Sequence, residues 1–234
     1  MKKIIIIGAG AMGSAFAVPC LENKNNVTLV GTHLEDELIK DIKSNKNFHS
    51  TLNIELPSKL KVEKFEKLSS ILESGVDIIV AGVSSIGIEW FVKQISKYYK
   101  KNLPIILLTK GLAIEENELI TLSDKIKKLL KEKGHTEINI SAIKGPCLAA
   151  GLANKMRTGT VIANPNINET NLLKKIISTD YYSTEASDDL TGIELSGAIK
   201  NIYSMLIGAS EGLSNSKASK EIQSKYYLNT SASL

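Results

Sequence analysis

Short unbroken runs of apolar residues alternate along this chain with longer stretches in which apolar positions recur every three or four residues. The first pattern fits strands buried on both faces of a parallel sheet, and the second fits helices that cover such a sheet. Residues 3–7, with their run of isoleucines, open the series as a strand, and Ser14-Ala-Phe-Ala-Val18 continues it as a helix. Residues 27–30, 76–83, 104–108, 138–143 and 160–163 predict further strands. Residues 34–42, 65–72, 88–99, 118–131 and 172–177 predict helices. The stretch 45–64 is polar and poorly periodic, with Pro57 inside it, and reads as a long connection or a meandering extra element. Strands that alternate with helices indicate βαβ units, hence an α/β fold with a mostly parallel sheet. The serine- and lysine-rich residues 213–220 read as a loop.

The pattern closes on an apolar helix that begins near Asp189 and runs past Tyr203. Ile193, Ile199, Ile202 and Leu206 recur on one face, while Ser196, Gly197, Ser204 and Gly208 line another. Lys200 sits among the small residues. A lysine on such a face is open to a ligand and partly desolvated, which makes its ammonium a better proton donor. The alternative is a helix that packs through its small residues while Lys200 extends to water.

The first strand runs straight into Gly8-Ala-Gly-Ala-Met-Gly13. In the order strand, Gly-x-Gly-x-x-Gly, helix, each glycine has a task. Gly8 permits the tight turn, Gly10 lets the backbone approach a pyrophosphate, and Gly13 lets the helix lie close to the strand. The amides and partial positive charge of the helix N-terminus then hold the phosphates. This makes the expected fold Rossmann-like, a doubly wound sheet around a dinucleotide site. The second strand ends Val30-Gly31-Thr32-His33, with neither the acid of an NAD site nor the arginine of an NADP site. Glu35 and Asp36 come late, so NAD and NADP both remain open.

Composition narrows the setting. Hydrophobic residues make up 43% of the chain and charged residues 23%, as in soluble globular proteins. The formal charge of +4 is scattered along the sequence, which gives no basis for a nucleic-acid partner. Cys20 and Cys147 lack CxxC spacing and read as reduced thiols. His33, His49 and His135 show no ligand spacing, so no metal is expected, and they read as surface residues. The N-terminal apolar run is too short for a signal or membrane-spanning segment, so the chain reads as cytoplasmic without membrane insertion.

Two further segments follow strand ends, where open α/β sheets bind ligands. They are Thr109-Lys110-Gly111 and Gly145-Pro-Cys-Leu-Ala149. Their order, with Gly8 to Gly13 before and Asp189-x-x-Gly192-x-Glu194-x-x-x-Ala198-x-Lys200-Asn201 after, resembles the NAD(P)-dependent glycerol-3-phosphate dehydrogenases over residues 1 to 212. The resemblance implies reversible hydride transfer between NAD(P)H and C2 of dihydroxyacetone phosphate, giving sn-glycerol 3-phosphate. It makes Lys200 the general acid–base and places Lys110 against both cofactor and substrate, with a catalytic part. Gly145, Cys147 and Asn201 are implied at the substrate. Ala11, Met12, Thr32 and Ala149 fall where that family touches the cofactor, beside Gly8, Gly10 and Gly13. A small phosphorylated substrate and, at full length, a homo-oligomer such as a dimer follow from the same resemblance.

Departures from the family pattern shape a second set of expectations. Cys147 replaces a serine or threonine and is a poorer hydrogen-bond donor. Gly151 stands where an acid is usual, and Arg157-Thr-Gly159 replaces a threonine-rich segment. The family continues into a helical domain with an Asn-x-Lys-Ala segment and a phosphate-gripping arginine. Here Asn229-Thr-Ser231, or in another register Asn215-Ser-Lys217-Ala218, resembles the start of that segment, and the arginine is not reached. The expected organisation is a dinucleotide-binding domain over 1–186 and the incomplete start of an all-α substrate domain over 187–234. Such a chain is expected to bind NAD(P) with little turnover by itself and to self-associate through the apolar face of its last helix. Other readings are a two-domain reductase of the ketopantoate reductase or 3-hydroxyacyl dehydrogenase type, and a nucleotide-binding module without catalysis.

Overall fold

The computed structural model describes residues 1–213. The chain opens with β1 (Lys3–Ile7), α1 (Ala11–Glu22), β2 (Asn26–Val30) and α2 (Asp36–Ser44). The polar stretch that follows holds a short hairpin, β3 (Phe48–His49) and β4 (Ile54–Glu55), and then β5 (Lys61–Glu63). A 3₁₀ turn leads into α3 (Leu68–Glu73), followed by β6 (Ile78–Ala81), α4 (Ile88–Ile95) and β7 (Ile105–Leu107). A second hairpin, β8 (Leu112–Glu115) and β9 (Glu118–Thr121), precedes α5 (Leu122–Glu132). The remainder is β10 (Ile140–Lys144), α6 (Ala149–Ala153), β11 (Thr158–Ala163), α7 (Ile167–Ile177), β12 (Tyr182–Ser187) and α8 (Leu190–Leu213).

Eight strands form one sheet in the order β12-β11-β10-β7-β6-β1-β2-β5. Its strands pair in parallel except where β11 runs antiparallel to β10. The isoleucines of β1 show why the strand needs no polar face. Ile4 and Ile6 enter the core beneath α1, α2, α6 and α7, whereas Ile5 and Ile7 enter the opposite core beneath α3, α4 and α5. Alternate residues thus serve two apolar layers, as a doubly covered strand requires. The chain winds outward from β1 to β2 and β5, then returns to β6 on the other side of β1. That reversal opens a crevice at the C-terminal ends of β1 and β6, where such sheets bind ligands.

Several sequence expectations need correction. Residues 45–64 do more than connect, because β5 pairs with β2 and extends the sheet edge. The helix expected from residue 118 begins only at Leu122. Residues 118–121 pair instead with 112–115, and Thr121 caps α5 by accepting the Asp124 N–H at 3.1 Å. Residues 182–187 form β12, in which buried Tyr182 and Thr184 alternate with exposed Ser183 and Glu185, a pattern that suits a sheet edge. His49 is not a surface residue. It is fully buried, with Nδ1 accepting the Leu52 N–H, which leaves Nε2–H to donate to the Ala9 carbonyl. Leu213, expected to open a loop, is instead the last residue of α8, whereas residues 214–220 and both registers of the asparagine segment, at Asn215 and Asn229, lie outside the described residues.

Candidate active site

The glycine-rich turn sits at the β1–β6 reversal. Gly8 has φ +109°, and a Cβ there would come within 2.6 Å of the Gly82 carbonyl oxygen. A Cβ on Gly13 would collide with the Gly8 carbonyl, so α1 can lie this close to the strand end only with glycine at both positions. Gly10 faces open space, with only the Glu35 carboxylate nearby. The first amides of α1, from Ala11, Met12 and Gly13, have no intrahelical partners and sit at the positive end of the helix. Together these groups form a concave backbone cradle of the kind a pyrophosphate fills.

Side chains from three segments lock this cradle: Glu35 before α2, Ser14 of α1 and His49 of β3. Glu35 Oε2 accepts the N–H groups of Ala9 at 3.0 Å and Thr32 at 2.7 Å. The Ala9 carbonyl accepts from Ser14 Oγ at 2.9 Å and from His49 at 3.0 Å. Beside Thr32, the exposed His33 ring lies 5.1 Å from the ring of Trp90, which in turn lies 5.4 Å from that of Phe65. Glu35, at the N-cap of α2, thus brings a carboxylate back to the end of β2.

A second group of residues gathers at the ends of β7 and β10. Lys110 follows β7, and its neighbour Thr109 is anchored by a 2.6 Å hydrogen bond from Oγ1 to the Val83 carbonyl. Gly145 follows β10 with φ +151°, where a Cβ would come within 2.9 Å of Thr160 Cα. Met12, Lys110, Lys144, Gly145 and Cys147 line one small cavity, closed below by Phe16 and Tyr182. Partial desolvation at this rim, with the nearby Lys200 ammonium, holds the Lys110 pKa below the usual lysine range, against an opposing influence from Cys147. Burial pushes the Cys147 thiol up.

The Asp-x-x-Gly-x-Glu pattern of α8 has a structural meaning at each acid. Asp189 precedes the helix and accepts the Gly192 N–H at 2.7 Å, an N-cap, and any Cβ on Gly192 would run into that carboxylate. Glu194 is fully buried, with Oε1 accepting the Ser123 N–H at 3.2 Å. Lys200 lies two turns further on, half-buried, and Asn201 beside it is exposed. Ala11 and Ala149 pack against the core from α1 and α6, so they bring backbone rather than side chains toward the crevice. Sequence reasoning missed Lys144, Glu35 and His49. Lys144 left one signal, a lysine ending an otherwise apolar strand before Gly-Pro. Among the described residues no cluster of three or more histidine, cysteine or acidic side chains is placed to hold a metal ion.

The sheet reversal, the glycine cradle and the strand-end lysines define a Rossmann-type protein of the doubly wound class. Residues 3–170 match the family model for the N-terminus of NAD-dependent glycerol-3-phosphate dehydrogenase, and the chain belongs to that family. It is 33% identical over 216 residues to the NADP(+)-dependent glycerol-3-phosphate dehydrogenase of Archaeoglobus fulgidus, covering 92% of this chain and 62% of that protein. It is 32% identical over 203 residues to the NAD(P)+ glycerol-3-phosphate dehydrogenase of Mesoplasma florum, covering 86% of this chain and 58% of the relative. The crystal structure of glycerol-3-phosphate dehydrogenase from Coxiella burnetii has the same fold. Its TM-score is 0.78 at 23% identity, over 95% of this chain and 65% of that one. The chain thus spans about three fifths of the length of the relatives it matches.

Proposed function

We propose that this chain carries the dinucleotide-binding part and the catalytic lysines of an NAD(P)-dependent glycerol-3-phosphate dehydrogenase. The observation that carries the reading is the single cavity lined by Lys110, Gly145 and Cys147 that also touches Met12 of the glycine-rich turn. The residues present fit a dinucleotide, because the cradle between Gly8 and Gly13 admits no Cβ at either end and leaves Gly10 open. When bound, the nicotinamide supplies or accepts the hydride at C2 of the substrate. Gly8, Gly10, Ala11, Met12, Gly13, Thr32 and Ala149 hold the cofactor. Lys200 gives its proton to the carbonyl oxygen of dihydroxyacetone phosphate as that oxygen becomes a hydroxyl, and takes it back in the reverse direction. Lys110 donates to the same region and stabilises developing negative charge. Gly145, Cys147 and Asn201 bound the substrate.

In this reading residues 1–186 form the cofactor domain and residues 187–234 begin a helical substrate domain, with the whole enzyme a homo-oligomer. Both cysteines are free and buried, in keeping with a cytoplasmic setting. Among the described residues no helix is long and apolar enough to cross a membrane.

The test is a panel of dihydroxyacetone phosphate, ketopantoate and a 3-oxoacyl thioester, each with NADH and NADPH. It is run on the 234-residue chain and on the chain continued by the C-terminal part of a relative. Turnover of dihydroxyacetone phosphate in the continued chain, abolished by Lys200→Ala, is the expected result. Turnover of another ketone instead assigns the reductase reading. Dinucleotide binding without turnover in either form assigns the non-catalytic module.

A further inference from the structure

Lys144 ends β10 one residue before Gly145 and is only 4% exposed. Its Nζ donates to the Thr109 carbonyl at 2.6 Å and lies 3.5 Å from that of Leu107, so it grips the last residues of chain before Lys110. Its aliphatic stem lies along α8 at Gly197, where a Cβ would come within 2.9 Å of Lys144 Cδ. Glycine at 197 leaves room for that stem. One turn earlier on α8, Glu194 is fully buried, with Oε1 spent on the Ser123 N–H and Oε2 without a hydrogen-bond partner. A buried acid in that state needs a nearby positive charge, and Lys144 supplies it from β10. One side chain therefore touches or faces the three segments that carry Lys110, Cys147 and Lys200.

We propose that Lys144 is a positioning residue for the Lys110–Lys200 site: it clamps the end of β7 to α8 and fixes a second positive charge beside Lys110. The proposal rests on the reading of that site as the catalytic centre. The charged and titratable groups that face Lys144 are Glu194 from α8 and Lys110 from the end of β7. Those that face Lys110 are Lys200 and Cys147 in addition. Both side chains line one cavity, so their protons are linked, and Lys144, the more deeply buried, gives up its proton first. The clamp thereby sets where Lys110 stands relative to α8.

Two variants separate the clamp from the charge. Lys144→Gln keeps a donor for the Thr109 carbonyl and removes the charge, whereas Lys144→Met keeps only the stem. The readout is the ¹³Cε signal of Lys110 in ¹³C-lysine-labelled 234-residue protein, followed as pH is raised, with NADH affinity measured alongside by fluorescence. In both variants the Lys110 signal is expected to lose the inflection near pH 8 at which Lys144 gives up its proton. NADH affinity is expected to hold in Lys144→Gln. A Lys110 titration curve that keeps this inflection in a cooperatively folded variant overturns the proposal. If neither variant folds, the wild-type chain decides. Its Lys110 signal is expected to show a second inflection as Lys144 loses its proton, and a single inflection overturns the proposal. A chain that shows this coupling but binds no dinucleotide fails the functional reading and keeps the clamp.

Discussion

Glu35 accepts the backbone N–H of Ala9 at 3.0 Å, so the first helix turn after β2 reaches back to fix the loop that follows β1. The same oxygen holds the Thr32 N–H, and His49 holds the Ala9 carbonyl from the other side. Ala9 is thereby bound at both its donor and its acceptor, and the cradle enters ligand binding already shaped. Hydrogen bonds to a charged acceptor are each worth about 1.5–3 kcal/mol. Glu35→Ala should therefore cost about 2 kcal/mol in urea denaturation, reduced from the sum of both bonds by partial exposure. It should also weaken NADH binding. Unchanged stability and affinity together would show that the loop holds its shape without this carboxylate.

Asp189 caps α8 through the Gly192 N–H. Asp189→Ala is expected to lower the unfolding free energy by about 1 kcal/mol, with Asp189→Asn retaining most of it. Gly192→Ala should cost less than Asp189→Ala, since its Cβ displaces the capping carboxylate but alanine is the better helix former by about 1 kcal/mol. Urea midpoints of the three variants decide the order, and equal midpoints count against the cap.

Burial holds the Lys144 pKa down to about 8, with Lys110 adding to the effect and Glu194 opposing it. An unfolded lysine titrates near 10.4, so between these values the unfolded chain binds more protons than the folded one. Stability from this group consequently rises with pH across that window, and its penalty is full below about 8. At about 1.4 kcal/mol per pH unit the span is roughly 3 kcal/mol. The melting temperature of wild type is expected to gain on that of Lys144→Met between pH 8 and 10. A difference that stays constant over that range would contradict the burial of a charged lysine.

Leu195, Ile199, Ile202 and Leu206 follow one another on α8 at spacings of four, three and four, and all four are exposed among the described residues. A continuous apolar stripe of this kind seeks a partner surface. The chain is expected to self-associate with rising concentration, and Ile202→Asp to reduce that association in analytical ultracentrifugation. A concentration-independent monomer in the wild type would show that the stripe is covered.

Much of this arrangement was legible in the sequence because its causes are local. The isoleucines of β1 have to be buried on both faces, and Gly-x-Gly-x-x-Gly after them can only be a tight turn into a helix. Lys110, Gly145 and Cys147 were found from strand ends, and one cavity does bring them together with Met12. What escaped notice depends on contacts between distant segments. Glu35 looked too late to serve the end of β2 because sequence distance conceals the reach of a side chain folded back over the first turn of α2. His49 looked like a surface residue because the partner that makes its burial tolerable, the Ala9 carbonyl, lies 40 positions away. Lys144 drew no notice because the carbonyls it grips, those of Leu107 and Thr109, lie 37 and 35 positions away. The edge strands β5 and β12 were missed because an edge accepts polar residues, which blurs the pattern.

Shared occupancy of Lys110 and Lys200 by one ligand pair is measured most directly by lysine-selective labelling with peptide mapping. The chain is labelled alone and then with oxidised NAD or NADP plus dihydroxyacetone phosphate, a pair between which no hydride can pass. Labelling of Lys110 and Lys200 is expected to slow together, while exposed lysines such as Lys61 and Lys133 keep their rates. Unchanged labelling of both residues at saturating ligand would contradict a catalytic site at this place in the fold.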